Sequence, residues 1–479
     1  MRSNIFFSII FFVTITASAQ TYNYYFGNLH AHTALSDGNK DSASTGVHDP
    51  SGAYAFAKLS QHMDFLGISE HNHYSSSRNP GFKVQSYQPG FTMANAANQD
   101  GTFLALFGME WGVSSTYNGH IVIYGFNQLI GWETSVPGVV GNNYDIFNAK
   151  TDYDGIFRKI KNNSAAFSYL AHPGFSDYTT NGTSSTALAY SAYNAAYDSA
   201  IVGTPLRSGL AFSTFTDYSD YPFGDYFSYY KKLLSVGYHL GCGYDHDNHY
   251  TTFGRSTGGR LVVLMPSLTR ANLTTAMQRM NFYGSDDWNA KIDFNTNGNI
   301  MGSIITGSTN PVFNVVHNDM DGEQADSIKI WKGINNGTGT YATVVYTSLN
   351  NNTATYTDVS PMIQNMEYYY FAEIKQADGQ WIVTSPIWYT NTSFVGIKEN
   401  EKEFEFNFFP NPVNETLNIS MTDCDDYKIS LIDITGRIVF ENSFYDKYAS
   451  LDLSKITSGV YTLEVKSKTG IKFKKLIVE

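Results

Sequence analysis

At 479 residues, with 42% apolar and 15% charged side chains, the chain is too long for one core and too apolar to be disordered or fibrous. Lys and Arg total 31 against 43 Asp and Glu, a net charge of −12, which lacks the basic excess of a protein built on nucleic acid; a local basic patch still leaves a nucleic-acid substrate open. Two cysteines, Cys242 and Cys424, lie too far apart for a disulfide framework or a thiolate metal site, so any metal must be held by histidines and carboxylates.

Residues 1–19 read as a secretory signal: Arg2 supplies the charge, 5–16 the apolar run, and Ala17-Ser18-Ala19 the small-residue cleavage site. No later stretch approaches the length of a membrane-spanning helix, so no transmembrane segment is expected in the mature chain and the product should leave the cell by way of the periplasm. From 20 to 307 short apolar runs alternate with helical patterns. The helix-like 51–62 leads into Asp64-Phe65-Leu66-Gly67-Ile68-Ser69, 153–161 into 165–171, and 225–234 into 238–243, which predicts a mainly parallel β/α domain, a barrel by its length. From 308 to 395 the pattern changes to period-two runs with turn signals such as Asn335-Asn336-Gly337 and Asp378-Gly379, expected to form a small sandwich of fibronectin or immunoglobulin type. A charged linker, 396–405, then precedes a second all-β module, 406–479.

All 12 histidines lie at or before His317, which puts the chemistry in the β/α part. Ligand-type residues follow one apolar run after another: His30-Ala31-His32 with Asp37 behind, Glu70-His71, Glu110, His172, and Asp245-His246-Asp247-Asn248-His249, with His120 eight residues beyond Gly112. Strand ends in a β/α domain converge on one face, and His-x-His on an extended segment puts both imidazoles on one side. Such a mixture of nitrogen and oxygen ligands suits Zn, Mn or Fe, and its size implies more than one ion, with Glu110 able to bridge two of them.

His30 to Gly38 resembles the first motif of the PHP (polymerase and histidinol phosphatase) metallohydrolases, and Gly108-Met109-Glu110-Trp111 with Gly119-His120 resembles their CehA/McbA-like branch. The resemblance implies a distorted (β/α)7-type PHP barrel, followed here by the two sandwiches, and a trinuclear site. One ion would take His30, His32, Glu110 and Asp247; a second would share Glu110 and add His120 and His172; a third would take Asp37, His71 and His249, with Asp245 in reserve for Asp247. The chain departs from the family at Glu70, where the second motif usually has Asp. The function expected is that of a secreted metal-dependent hydrolase, a phosphoesterase acting on phosphomonoesters or phosphodiesters through a metal-bound hydroxide. His73 or His246 would protonate the leaving group, and Arg78, Lys83, Arg207 or Arg255 would contact phosphate. The alternatives are a carbamate or ester hydrolase of the CehA type and a non-enzymatic surface adhesin with a degenerate barrel.

Phe409-Pro410-Asn411-Pro412, Ile434-Thr435-Gly436-Arg437 and Ser458-Gly459-Val460-Tyr461 resemble the C-terminal sorting domain of the type IX secretion system of Bacteroidetes. That resemblance implies the type IX machinery as a partner and a secreted or cell-surface destination.

Overall fold

The computed structural model describes residues 21–75, 82–113, 118–175, 177–178, 193–195, 197–218, 224–392, 405–422, 426–468 and 470–479. The signal segment, Arg78, Cys424 and most of the expected linker lie outside them. The chain divides into two compact units, 1–393 and 394–479.

The first unit corrects the expected barrel. Among the described residues of this unit six helices accompany 21 strands, too few to cover a ring of alternating strands and helices. The backbone of the unit is one 15-stranded sheet. Its path runs Ile304–Gly307, Ile387–Asn391, Glu367–Gln376, Trp381–Thr384, Phe282–Ser285, Arg260–Met265, Asn23–Asn28, Phe65–His71, Leu104–Trp111, His120–Tyr124, Phe167–Ala171, Ile201–Ser208, Gly241–Asp245. Closing it into a barrel would require the last of these to pair with Phe282–Ser285. Gly284 does press against Gly243, so closely that a Cβ there would stand 2.1 Å from the Gly243 oxygen. A strand has only two hydrogen-bonding edges, however, and Phe282–Ser285 spends them on Arg260–Met265 and Trp381–Thr384. The sheet therefore stays open and continues into the region expected to form a separate sandwich.

That continuation makes one sheet serve two cores. Arg260–Met265 is buried along its whole length, as a strand covered on both faces must be. Leu261 and Val263 face a core with Leu29, Phe65, Leu104 and Tyr169, whereas Val262 and Leu264 face another with Phe26, Tyr283, Phe294, Phe313 and Tyr370. The second core is closed from the far side by a four-stranded sheet, Asn299–Ile300, Lys291–Thr296, Val312–Asn318 and Thr353–Thr357. The second unit is a sandwich of three strands on four around Phe406, Leu417, Ile419, Ile429, Leu431 and Leu463.

Within the path the five strands from Asn23–Asn28 to Phe167–Ala171 position the site. Asn23–Asn28, Phe65–His71 and Leu104–Trp111 run parallel, His120–Tyr124 runs antiparallel to its neighbours, and Phe167–Ala171 reverses again. The start of His120–Tyr124 thus lies at the same sheet edge as the ends of the other four.

His239 ties the loop before Ile201–Ser208 to the Glu367–Gln376 strand through Asp198 and Glu367, each 2.9 Å from one ring nitrogen. Burial lowers the imidazole's pKa, but the two carboxylates outweigh it and push it up to about 9. A folded pKa above the unfolded value of about 6.5 means stability fully present below pH 6.5 and lost as pH rises through 9. His239→Gln should accordingly lower stability by roughly 2 kcal/mol near pH 6.5. In thermal melts the gap from wild type should shrink toward pH 10.

Candidate metal centre

His30 and His32 follow the Asn23–Asn28 strand, and their backbone is fixed by Asn28, whose side chain accepts from the His30 amide at 3.2 Å and from the His246 amide at 3.1 Å. The chain then turns sharply. Gly38 folds back so near the His32 carbonyl that a Cβ would stand 2.2 Å from it, and this return carries Asp37 to the cluster. Buried Glu70 holds the same turn, accepting from the Thr33 amide and from the Thr33 and Ser36 hydroxyls. Burial raises its pKa to about 6 against the lowering effect of His32 and these donors. Glu70 is thus a brace for the loop and not a ligand.

The nine residues proposed as ligands come together. Four of them crowd together: His30 Nε2 lies 3.3 Å from His32 Nε2, 3.2 Å from Glu110 Oε1 and 3.2 Å from Asp247 Oδ1. His32 Nε2 in turn lies 3.2 Å from Glu110 Oε2 and 3.1 Å from Asp247 Oδ1. Ligands at about 2.0–2.1 Å from a tetrahedral zinc ion are spaced about 3.3 Å apart, and the two imidazole nitrogens and Asp247 Oδ1 stand at about that spacing from one another, with a different Glu110 oxygen against each imidazole. Glu110 Oε1 also meets His120 Nδ1 at 2.7 Å and His172 Nε2 at 3.1 Å, and its Oε2 meets His71 Nδ1 at 2.9 Å. Asp37 Oδ1 lies 3.5 Å from His71 Nε2 and 3.3 Å from His249 Nε2. His71 therefore stands between two groups of donors, facing Glu110 with one nitrogen and Asp37 with the other.

The two candidates for the last carboxylate take different places. Asp247 faces the Nε2 atoms of His30 and His32, whereas buried Asp245 lies 3.2 Å from His30 Nδ1, on the back of the ring. A carboxylate behind a ligating imidazole fixes its tautomer and raises its basicity. The Asp247 carbonyl, 2.8 Å from His249 Nδ1, does the same for His249. His172 and Asp247 both hold positive φ, 29° and 53°, a strained backbone that only the surrounding structure maintains.

The donor set fits divalent cations on its own chemistry. If His30 donates Nδ1–H to Asp245, its Nε2 meets Glu110 and Asp247, which together demand positive charge there, as a proton on Nε2 or as a cation at the common point. Glu110 Oε2 and both ring nitrogens of His120 are buried without a well-formed hydrogen bond. Burial would raise the Glu110 carboxyl, yet His120, His71 and His30 hold it well below the usual range; His32, lowered by burial, is driven up to about 10 by Asp247 and Glu110. Each shift states the same demand for cationic charge inside a site where Glu110, His30 and His32 are fully buried.

Other residues expected at the site are elsewhere. The ring of His246 turns away, its Nε2 2.7 Å from the Gly259 carbonyl, and burial with nearby Arg260 pushes its pKa down to about 3. Arg255 lies over the Phe56 ring at 5.4 Å, and Arg207 pairs with Asp286 at 3.3 Å. His73 borders the cluster, its ring stacked on Trp132 at 5.6 Å and edge-on to His71. Reading the sequence missed Lys40, whose ammonium lies 3.6 Å from Asp37 Oδ2, and Phe212, packed on His249 at 4.6 Å and under Lys40 at 5.7 Å. A lysine three residues beyond a ligand carried no signal by itself. The open side of the cluster is at His172, whose side chain is 27% exposed.

Residues 407–479 match the secretion system C-terminal sorting domain. This marks the chain as a client of the type IX secretion machinery, bound for the cell surface or the outside. Among the described residues no helix is long and apolar enough to cross a membrane. No curated protein matches the chain. Among solved structures it is similar to PorZ, a bacterial surface component of the type IX secretion system of Porphyromonas gingivalis, at 13% identity over 36% of each chain with a TM-score of 0.15. It is also similar to the FN1–FN3 domains of chicken CNTN1, at 10% identity over 36% of this chain and 65% of that one with a TM-score of 0.14. The chain thus spans about a third of the length of the PorZ structure.

Asp245→Asn should keep the fold while weakening metal affinity by about 10–100-fold, the usual effect of losing a carboxylate behind a ligating histidine. Metal content after dialysis against a graded chelator series checks this, with circular dichroism as the control for folding.

Proposed function

We propose that the cluster is a polynuclear divalent-metal centre and that the protein is a secreted PHP-like metallohydrolase acting on phosphoesters. The observation that carries the reading is the close group of His30, His32, Glu110 and Asp247, joined through Glu110 to His71, His120 and His172. Divalent ions, whether Zn, Mn or Fe, would supply Lewis-acid stabilisation of ester oxygens and acidify a water. His30, His32, Glu110 and Asp247 would hold one, Glu110 with His120 and His172 a second, and Asp37, His71 and His249 a third.

The chain's own groups do the rest. Glu110 offsets cationic charge on both of its oxygens while Asp245 and the Asp247 carbonyl orient His30 and His249. Lys40, 32% exposed beside Asp37, supplies a mobile cation at the rim for a phosphate oxygen and favours an anionic ester over a neutral carbamate. His73 and Trp132, stacked on each other, border the cluster on one side, and Phe212 packs on His249 at its rim.

The test is a screen of phosphomonoesters, phosphodiesters, carbamates and carboxylic esters with the secreted protein and its Glu110→Gln variant. Phosphoester turnover that falls by about three orders of magnitude or more in the variant, with its melting profile retained, is the expected result. Turnover of a carbamate alone would replace the substrate class, and a variant with wild-type turnover would remove Glu110 from the chemistry.

A further inference from the structure

A second group of acids lies in the same unit, away from the strand ends that carry the nine clustered residues; its nearest histidine is His317, on the strand before Asp319. Asp287 stands in the loop after Phe282–Ser285, and Asp319 and Glu323 stand between the strands Val312–Asn318 and Ala325–Ile334. One oxygen from each of the three lies within 4.8 Å of the others. Among the described residues no lysine or arginine comes within ion-pair distance of any of them. Asp287 is 1% and Asp319 8% exposed, so these two carboxylates are largely shut off from water, while Glu323 stands half-buried at the edge of the group.

The observation that points to a ligand is Gln376, at the end of the Glu367–Gln376 strand and only 2% exposed. Its amide is aimed into the group, its nitrogen 3.4 Å from Asp287 Oδ2, 3.5 Å from Asp319 Oδ2 and 3.4 Å from Glu323 Oε2. Three equal contacts at that length are poor hydrogen bonds, and the other end of the amide, Oε1, is buried without a partner. The two ends of a glutamine amide are interchangeable by a half-turn, so the inward atom is as well served by the carbonyl oxygen. Oxygens about 2.4 Å from a calcium ion are about 3.4 Å apart when adjacent and about 4.8 Å apart when opposite. The Gln376 amide stands at about the first spacing from each acid, and the three acid oxygens lie within the second of one another. Their outer oxygens are already committed to holding the loops: Asp287 Oδ1 accepts from the Asn289 and Ala290 amides, and Asp319 Oδ1 from the Asp321 and Glu323 amides.

We propose that Asp287, Asp319, Glu323 and Gln376 form a calcium site that pins the Asp319–Glu323 loop to the end of the long sheet. All-oxygen donors, with no nitrogen among them, select a hard cation, and acids carried on loops suit the flexible coordination of calcium better than the strict octahedron of magnesium. The site differs from the histidine cluster in chemistry, in place and in metal, and does not rest on the hydrolase reading. It suits a protein exported to an environment where calcium is abundant, with an affinity of about 10⁻⁴–10⁻³ M, as in other extracellular modules.

Equilibrium dialysis of the full secreted chain with radioactive Ca²⁺ tests it. One saturable calcium per chain is expected, not displaced by an equal concentration of Mg²⁺. Gln376→Leu, which keeps the volume and removes the oxygen, should weaken binding about tenfold or more, and Gln376→Glu, with a fourth carboxylate, should tighten it. Glu110→Gln should bind calcium as wild type does, which separates this site from the histidine cluster. Absence of saturable binding up to about 10 mM, an order above the expected range, would overturn the proposal. So would unchanged binding in Gln376→Leu, or loss of the same calcium in Glu110→Gln.

Discussion

A carboxylate with no exposure to water must find compensating charge or hydrogen bonds, and Glu110 finds neither a lysine nor an arginine but a ring of imidazoles on both oxygens. The rest of the site follows from that constraint. His30 and His32 must come from a strand adjacent to the one that ends in Phe65–His71, which is itself adjacent to the one bearing Glu110, and all three run parallel so that their ends coincide. His120 reaches the same oxygen from the opposite direction because its strand is antiparallel: Glu110 pairs with Val122, two residues into that strand, and His120 with Ala171, next to His172. A one-residue slip in either register would turn these side chains to the other face.

The outer parts of the site are arranged to keep this ring in place. Glu70 braces the turn that delivers Asp37, Asp245 stands behind His30, and Arg260 is buried with its guanidinium donating to the carbonyls of Gln61, His62, Gly254, Thr257, Gly258 and Gly259. Those contacts lock the loop that follows the Asp247–His249 segment onto the chain leading into Phe65–His71. Neutral carbonyls compensate a buried cation without placing another carboxylate near the centre, which keeps the demand for positive charge within the imidazole cluster.

That most of these histidines and carboxylates stand at strand ends was legible in the sequence because they follow apolar runs, and a run's length and ending are local properties. The helix at 153–161 was legible for the same reason: its apolar residues recur at helical spacing and Asp152 accepts from the Gly155 amide at its start. Closure of the sheet was not. Which strand borders Phe282–Ser285 depends on competition for one hydrogen-bonding edge between Gly241–Asp245 and Trp381–Thr384, segments about 140 residues apart in sequence, and alternation of apolar residues says nothing about partners. The direction in which Asp245 and Asp247 point was equally hidden, since the positive φ of Asp247 breaks the alternation that an extended reading assumes. His246 and Arg255 carried the right chemistry at the right distance in sequence, but the Gly259 carbonyl and the Phe56 ring hold them elsewhere.

The central claim is that Glu110 organises several transition-metal ions and not one. Elemental analysis of the secreted chain, purified without chelator and counted separately for calcium, tests it most directly. The account predicts close to three Zn, Mn or Fe ions per chain, because nine ligands cannot crowd around one centre. A stoichiometry of one transition-metal ion or fewer would contradict it.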